Sequence, residues 1–306
     1  VLLYIVATIA IGVIAATRVK NTSDFALAGR SLPLPMVITA TFATWFGSET
    51  ILGLPGRFIE SGIAGVIEEP FGSGMALILV GTFFAHKLYK QNILTLGDYY
   101  RDRYGRSVEL LCSVAIVISY LGWVGAQVTA LGLVINLITE GAVSMTTGMV
   151  IGAAVVLAYT MVGGMWSVAM TDFVQMIVIV VGLVAILWFA TDLAGGMDKV
   201  VDYARGRDLF HAFPEPTTTG WLFWISAAMT MMIGSIPQQD VFQRVMSAKN
   251  LPTAVAGPIL GGSFYILFAF VPMFIVVAAI LVMPDAAEKM LSEDPQQLLP
   301  TLVRDC

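Results

Sequence analysis

An all-helical protein that crosses a membrane several times is the fold class this sequence predicts. Of its 306 residues, 58% are hydrophobic and only 12% charged, about half the charge of an ordinary soluble domain. Mean hydropathy is +0.84. Apolar runs recur at about 1–17, 33–59, 63–85, 108–138, 144–162, 171–191, 219–236 and 253–283, separated by polar stretches marked by Gly and Pro. A spanning helix needs about 20 apolar residues, so these runs read as eight spans. A disordered chain, a secreted disulfide scaffold and an ordinary cytosolic enzyme are all excluded. Membrane lipid is the solvent. The net charge of −5, with no basic run, gives a nucleic-acid partner no electrostatic support. Cys112 and Cys306 make neither a disulfide framework nor a metal spacing, and His86 and His211 stand far apart in polar stretches.

The first run is only just long enough to span, which fits a chain whose N-terminus is clipped. It lacks the basic start and small-residue cleavage site of a signal peptide. Scoring alternate connections for Lys and Arg sets the orientation. The connections 18–32, 86–107, 163–170 and 237–252 hold ten basic residues; 57–62, 139–143, 192–218 and 284–306 hold six, with twelve acids. The positive-inside rule puts the first set in the cytoplasm and residue 1 outside, in a plasma (inner) membrane.

Two spans look broken. In the second, Phe46 near the midpoint is followed by Gly47, Ser48 and Glu49, then by Gly53, Pro55 and Gly56. In the seventh, the apolar run from Trp221 to Ile236 is interrupted at Gly234 and Pro237, with three amides and Asp240 just beyond. Irregular backbone at membrane depth survives only where it is buried in protein or lines a cavity. Four spans separate these segments, so they are the first and sixth helices of a core that starts at the second span. Paired broken helices in matching positions point to a transporter site.

Ionisable groups inside spans are the second signal, because each costs about 2.5–3.5 kcal/mol at a helix centre. Glu49 lies just past the middle of its helix, either as a structural carboxylate bonded to freed amides or as a transport group. Glu68 and Glu69, before Pro70, read as interfacial charges at the end of the third span. Asp172 reads as a cap opening the sixth.

The stretch Gly163-Gly164-Met165-Trp166-Ser167, followed by Thr171-Asp172 and Gln175, resembles the signature of the sodium:solute symporter family. Arg30-Ser31-Leu32, Thr95-Leu96 with Asp98-Tyr99, and Gln243-Arg244 with Ala248-Lys249 match it in family order. The resemblance implies one extra helix and then the LeuT-like core of two inverted five-helix repeats. On that frame 1–32 is the extra helix and its loop, and 33–191 is the first repeat. The stretch 192–218 is an extracellular loop, and 219–306 begins a second repeat whose last three helices would follow residue 306.

The resemblance further implies a sodium ion held by the backbone carbonyls of Ala43 and Phe46, with Asp172 on its exit path; no other cofactor or metal is expected. It aligns Trp45, Trp123, Ser73 and Gln238 with positions around the solute; Gln127 is a further candidate hydrogen-bonder there, and Glu49 the candidate carboxylate. Met231 and Gly234 stand where sugar-transporting members carry polar and aromatic groups, which argues against a sugar. Ala43-Thr44-Trp45 with Gly47, and Ile236-Pro237 with Gln239, resemble the choline branch, but only Trp45 and Trp123 occupy aromatic cage positions; Ser73 and Gln238 fill the others. The expected activity is sodium-coupled import of a small polar or zwitterionic organic solute. The alternatives are proton coupling and a symporter-like sensory module of a signalling kinase. Because no nucleophile–base pair or metal cluster falls on one side of the membrane, an enzyme is not expected.

Overall fold

The computed structural model describes residues 2–306, with side chains from residue 6. Among these residues the structure is helical, with one isolated parallel bridge between Leu32 and Ala248. Helix α1 (Leu2–Ala16) is the extra span, and α2 (Thr22–Leu27) lies in the loop after it. Helix α3 (Leu34–Trp45) ends where the second span was expected to break. A π-helical turn, Glu49–Gly53, leads into α4 (Leu54–Ser61). Pro55 explains the wide turn: it has no N–H for the carbonyl four residues back, and the ladder loosens there.

The third span runs from residue 63 to residue 89 through α5 (Ser73–Leu79) and α6 (Ala85–Tyr89), with π-helical stretches at Ile67–Gly72 and Val80–Phe84. Helix α7 (Leu96–Tyr104) starts at a capping box made by Thr95 and Asp98. It is followed by α8 (Arg106–Ile138), α9 (Met145–Leu193) and α10 (Met197–Gly206). The seventh span is broken between α11 (Thr218–Gly234) and α12 (Gln239–Ser247). Helices α13 (Leu251–Phe268) and α14 (Phe270–Val282) make one 32-residue span, and α15 (Pro284–Glu293) and α16 (Leu298–Asp305) follow.

One expected connection is absent. The sequence predicts a connection between spans at 163–170, yet α9 is helical from residue 165 onward, and only Gly164 departs, at φ 49° and ψ −139°. A single left-handed residue replaces the loop, and glycine is required twice over: a Cβ here would stand 2.3 Å from the carbonyl oxygen of Phe25. Asp172 is therefore not a cap. It sits about two turns inside the helix, because the mostly apolar Met165–Met170 continue it. With 49 residues, α9 is long enough for two crossings.

The molecule divides into two compact units. The first comprises Val1–Thr44, Leu77–Met176 and Ser235–Gly262. One buried cluster in it joins Leu27, Leu96, Phe242 and Met246. Helix α12 is anchored around that cluster. Gln243 Nε2 donates to the Ala26 carbonyl at 2.6 Å, the Leu96 amide donates to Gln239 Oε1 at 2.9 Å, and Tyr89 Oη donates to the Ala248 carbonyl at 2.8 Å. Leu32 and its neighbours Ser247 and Lys249 exchange two 3.0 Å backbone bonds. The extra helix is tied in by Ser167 Oγ, which donates to the Gly12 carbonyl at 2.5 Å, and by Arg18, 4.8 Å above the Trp166 ring.

The second unit comprises Trp45–Ala76, Ile177–Gly234 and Ser263–Cys306. It is built on α14, where Met273 and Ile275–Ala279 are fully or almost fully buried against α4, α10 and α16. The stretch 67–72 packs along α11. Ile63 and Ala64 donate backbone bonds to the carbonyls of Leu209 and His211, both at 2.9 Å, closing the loop after α10 onto the start of the third span.

Candidate functional site

The break after α3 is local and well defined. The Gly47 amide donates to the Trp45 carbonyl at 2.9 Å, two residues back rather than four, and so ends the helical ladder. Ala43 is in the last turn before the break and Phe46 just after it. The Phe46 ring is buried, edge-on to Tyr265 at 6.3 Å and 5.3 Å from Phe268.

Two expected solute contacts in the second unit share a property. The indole N–H of Trp45 and the hydroxyl of Ser73 are both shielded from solvent and lack a hydrogen-bond partner. A buried polar group left unpaired costs about 1–3 kcal/mol, a cost that a bound partner would relieve. Glu49 lies in the same unit, half exposed, with a carboxylate oxygen 3.6 Å from Arg57 Nη2. Arg57 also reaches Glu68 at 4.0 Å. The bond that holds Glu49 is thus an ion pair, not a set of freed amides.

The remaining candidates belong to the first unit. Trp123 and Gln127 are one turn apart on α8, where Trp123 is 46% exposed. Gln238 has an extended backbone and precedes α12 as its N-cap, half-buried. Asp172 is half-buried on α9.

Glu69 corrects the sequence reading most sharply. It is not an interfacial charge: it is only 7% exposed and accepts hydrogen bonds from Thr50 and Tyr265. Pro70 is the reason. A residue before proline avoids the helical region, and Glu69 adopts φ −140° and ψ 124° inside an otherwise helical stretch. Glu68 and Glu69 therefore leave the chain in different directions, one toward Arg57 and one into the protein. The Glu-Pro pair was the available signal for Glu69; nothing local marks Tyr265 in its apolar run.

With this geometry in view, the likeness to known proteins is specific. The family model for the sodium:solute symporter family matches residues 25–305. The high-affinity choline transporter 1 of Caenorhabditis elegans is 29% identical over 83% of this chain and 43% of its own length. The human high affinity choline transporter 1 is 30% identical over 78% and 42%, and the Danio rerio sodium/glucose cotransporter 4 is 28% identical over 90% and 45%. The chain thus spans less than half the length of these relatives. A solved Na+-coupled sialic acid symporter, in a substrate-bound outward-open state, superposes with a TM-score of 0.81 at 19% identity, over 97% of this chain and 63% of that one. The fold is an extra helix plus the first seven helices of the LeuT-like core, and the protein is an integral membrane protein. The chain belongs to the sodium:solute symporter family.

Proposed function

We propose that this chain is the larger part of the core of a sodium-coupled symporter that imports a small polar or zwitterionic organic solute by alternating access. The observation that carries the reading is the break at Trp45–Gly47, where the helix ladder stops beside the carbonyls of Ala43 and Phe46. On this account those carbonyls hold the sodium ion and Asp172 lies on its path to the cytoplasm. The unpartnered N–H of Trp45 and hydroxyl of Ser73 bind the solute; Trp123, Gln127 and Gln238 are proposed as solute contacts on the family resemblance alone. Glu49 supplies a carboxylate for a cationic end. Sodium and solute favour the same conformation, and that shared preference is the coupling.

The choline-transporting relatives support a cationic or zwitterionic solute, whereas Ser73 and Gln238 at two cage positions favour one with hydrogen-bonding groups over a bare quaternary ammonium. Orientation follows the basic loops, with residues 18–32 and 86–107 in the cytoplasm of a plasma-membrane protein. The test is a thermal-shift screen of the complete protein against betaines, amino acids and choline, each with sodium or with potassium. A hit that requires sodium is expected; hits of equal size in both salts would contradict sodium coupling.

A further inference from the structure

Four oxygen atoms meet inside the second unit. Thr50 Oγ1 lies 3.1 Å from the Trp45 carbonyl oxygen, 3.1 Å from Glu69 Oε1 and 3.1 Å from Tyr265 Oη. Tyr265 Oη also donates to Glu69 Oε1. The atoms come from the turn after α3, the extended residue before Pro70 and helix α13, and Thr50 and Tyr265 are fully buried. None of the ion or solute positions assigned above uses the Thr50, Glu69 or Tyr265 side chains.

The cluster is short of one positive charge. Glu69 carries the only ionisable carboxyl among the four oxygens, and a buried unpaired carboxylate is too costly to leave uncompensated. Arg57, on α4, is turned toward Glu49 and Glu68, at 3.6 and 4.0 Å. Helices α11 and α14, which pack against these segments, carry no ionisable acid or base. The four contacts are served by two hydroxyl hydrogens, one on Thr50 and one on Tyr265.

We propose that Trp45 O, Thr50 Oγ1, Glu69 Oε1 and Tyr265 Oη form a binding site for one small monovalent cation, a sodium ion or a proton, separate from the sodium position at Ala43 and Phe46. Carbonyl, hydroxyl and carboxylate oxygens are the ligands a hard cation takes. A proton serves the same set: the acid donates to Thr50, Thr50 to the Trp45 carbonyl and Tyr265 to Glu69, so three of the four contacts carry a hydrogen. Either source brings the one missing positive charge. Binding here is independent of transport; only a role in coupling rests on the symporter reading.

The test uses the complete protein in lipid nanodiscs, with no organic solute and no gradient. Radioactive sodium bound at saturation is counted per chain, and protons exchanged on a step from mildly acidic to mildly basic pH are counted in weak buffer. Glu69→Gln is expected to bind one sodium ion fewer if sodium is the ligand, or to exchange one proton fewer with sodium unchanged if it is the proton. Both counts equal to the unmodified protein's would overturn the site. Should Glu69→Gln fail to fold, Thr50→Val removes one ligand oxygen at nearly constant shape. It is expected to move the midpoint of the sodium or proton titration by about tenfold, the size of one lost polar contact. An unmoved midpoint would equally overturn it. Because no solute is present, these counts stand or fall apart from any uptake result.

Discussion

The phenol of Tyr120 on α8 donates to Asp240 Oδ1 at 2.7 Å and accepts from the Asp240 amide at 3.2 Å, so one hydroxyl holds the first turn of α12 by two bonds. Half-helix α12 is separated from α11 by only four residues, 235–238, and has the unsatisfied amides of its own first turn to pair. Tyr120→Phe removes both bonds while keeping the ring. A hydrogen bond to a charged group contributes about 1.5–3 kcal/mol, and the variant should lose stability on that scale, seen as a lower unfolding midpoint in detergent. A double-mutant cycle with Asp240→Asn should give a coupling of about 1 kcal/mol or more; additive losses would show that the contact contributes nothing.

Ser73→Ala should separate binding from folding. The Ser73 hydroxyl is buried without a partner, so its removal relieves a cost of about 1–3 kcal/mol and should leave stability equal or higher. Solute affinity should fall in the same variant. Lower stability with unchanged affinity would make Ser73 a packing residue only.

Trp45→Ala distinguishes a cation–π contact from simple packing. The loss of affinity should be greater for a cationic solute than for a neutral one by about 0.5–2 kcal/mol, measured by competition binding. Equal losses would indicate packing alone.

Gly164→Ala tests the kink inside α9. With φ at +49° and a Cβ 2.3 Å from the Phe25 carbonyl, the substitution should lower the folded yield sharply. Gly182→Ala in the same helix meets nothing within 4 Å and should be neutral or slightly stabilising. Similar behaviour of the two would refute the steric argument.

These residues also show how far the sequence could be read. Hydropathy located the long apolar helices, and Gly47 with Pro55, and Gly234 with Pro237, marked the two breaks, because glycine and proline act on the backbone locally. Gly164 was misjudged for the opposite reason. A loop and a one-residue kink carry the same small residues, and only the close approach of Phe25, far away in sequence, decides between them. Glu69 was misplaced because its burial depends on Tyr265, whose position in an apolar run carries no signal of a polar partner. Ala43, Phe46 and Asp172 came from motif order rather than from local chemistry; for Asp172 the structure changed its place in the helix.

The central claim is tested most directly by uptake into proteoliposomes holding the complete protein, with sodium, proton and electrical gradients imposed one at a time. An inward sodium gradient alone should accumulate the solute found by the thermal-shift screen, and Phe46→Pro, which displaces the carbonyls at the break, should abolish that dependence. Uptake indifferent to sodium would contradict the account.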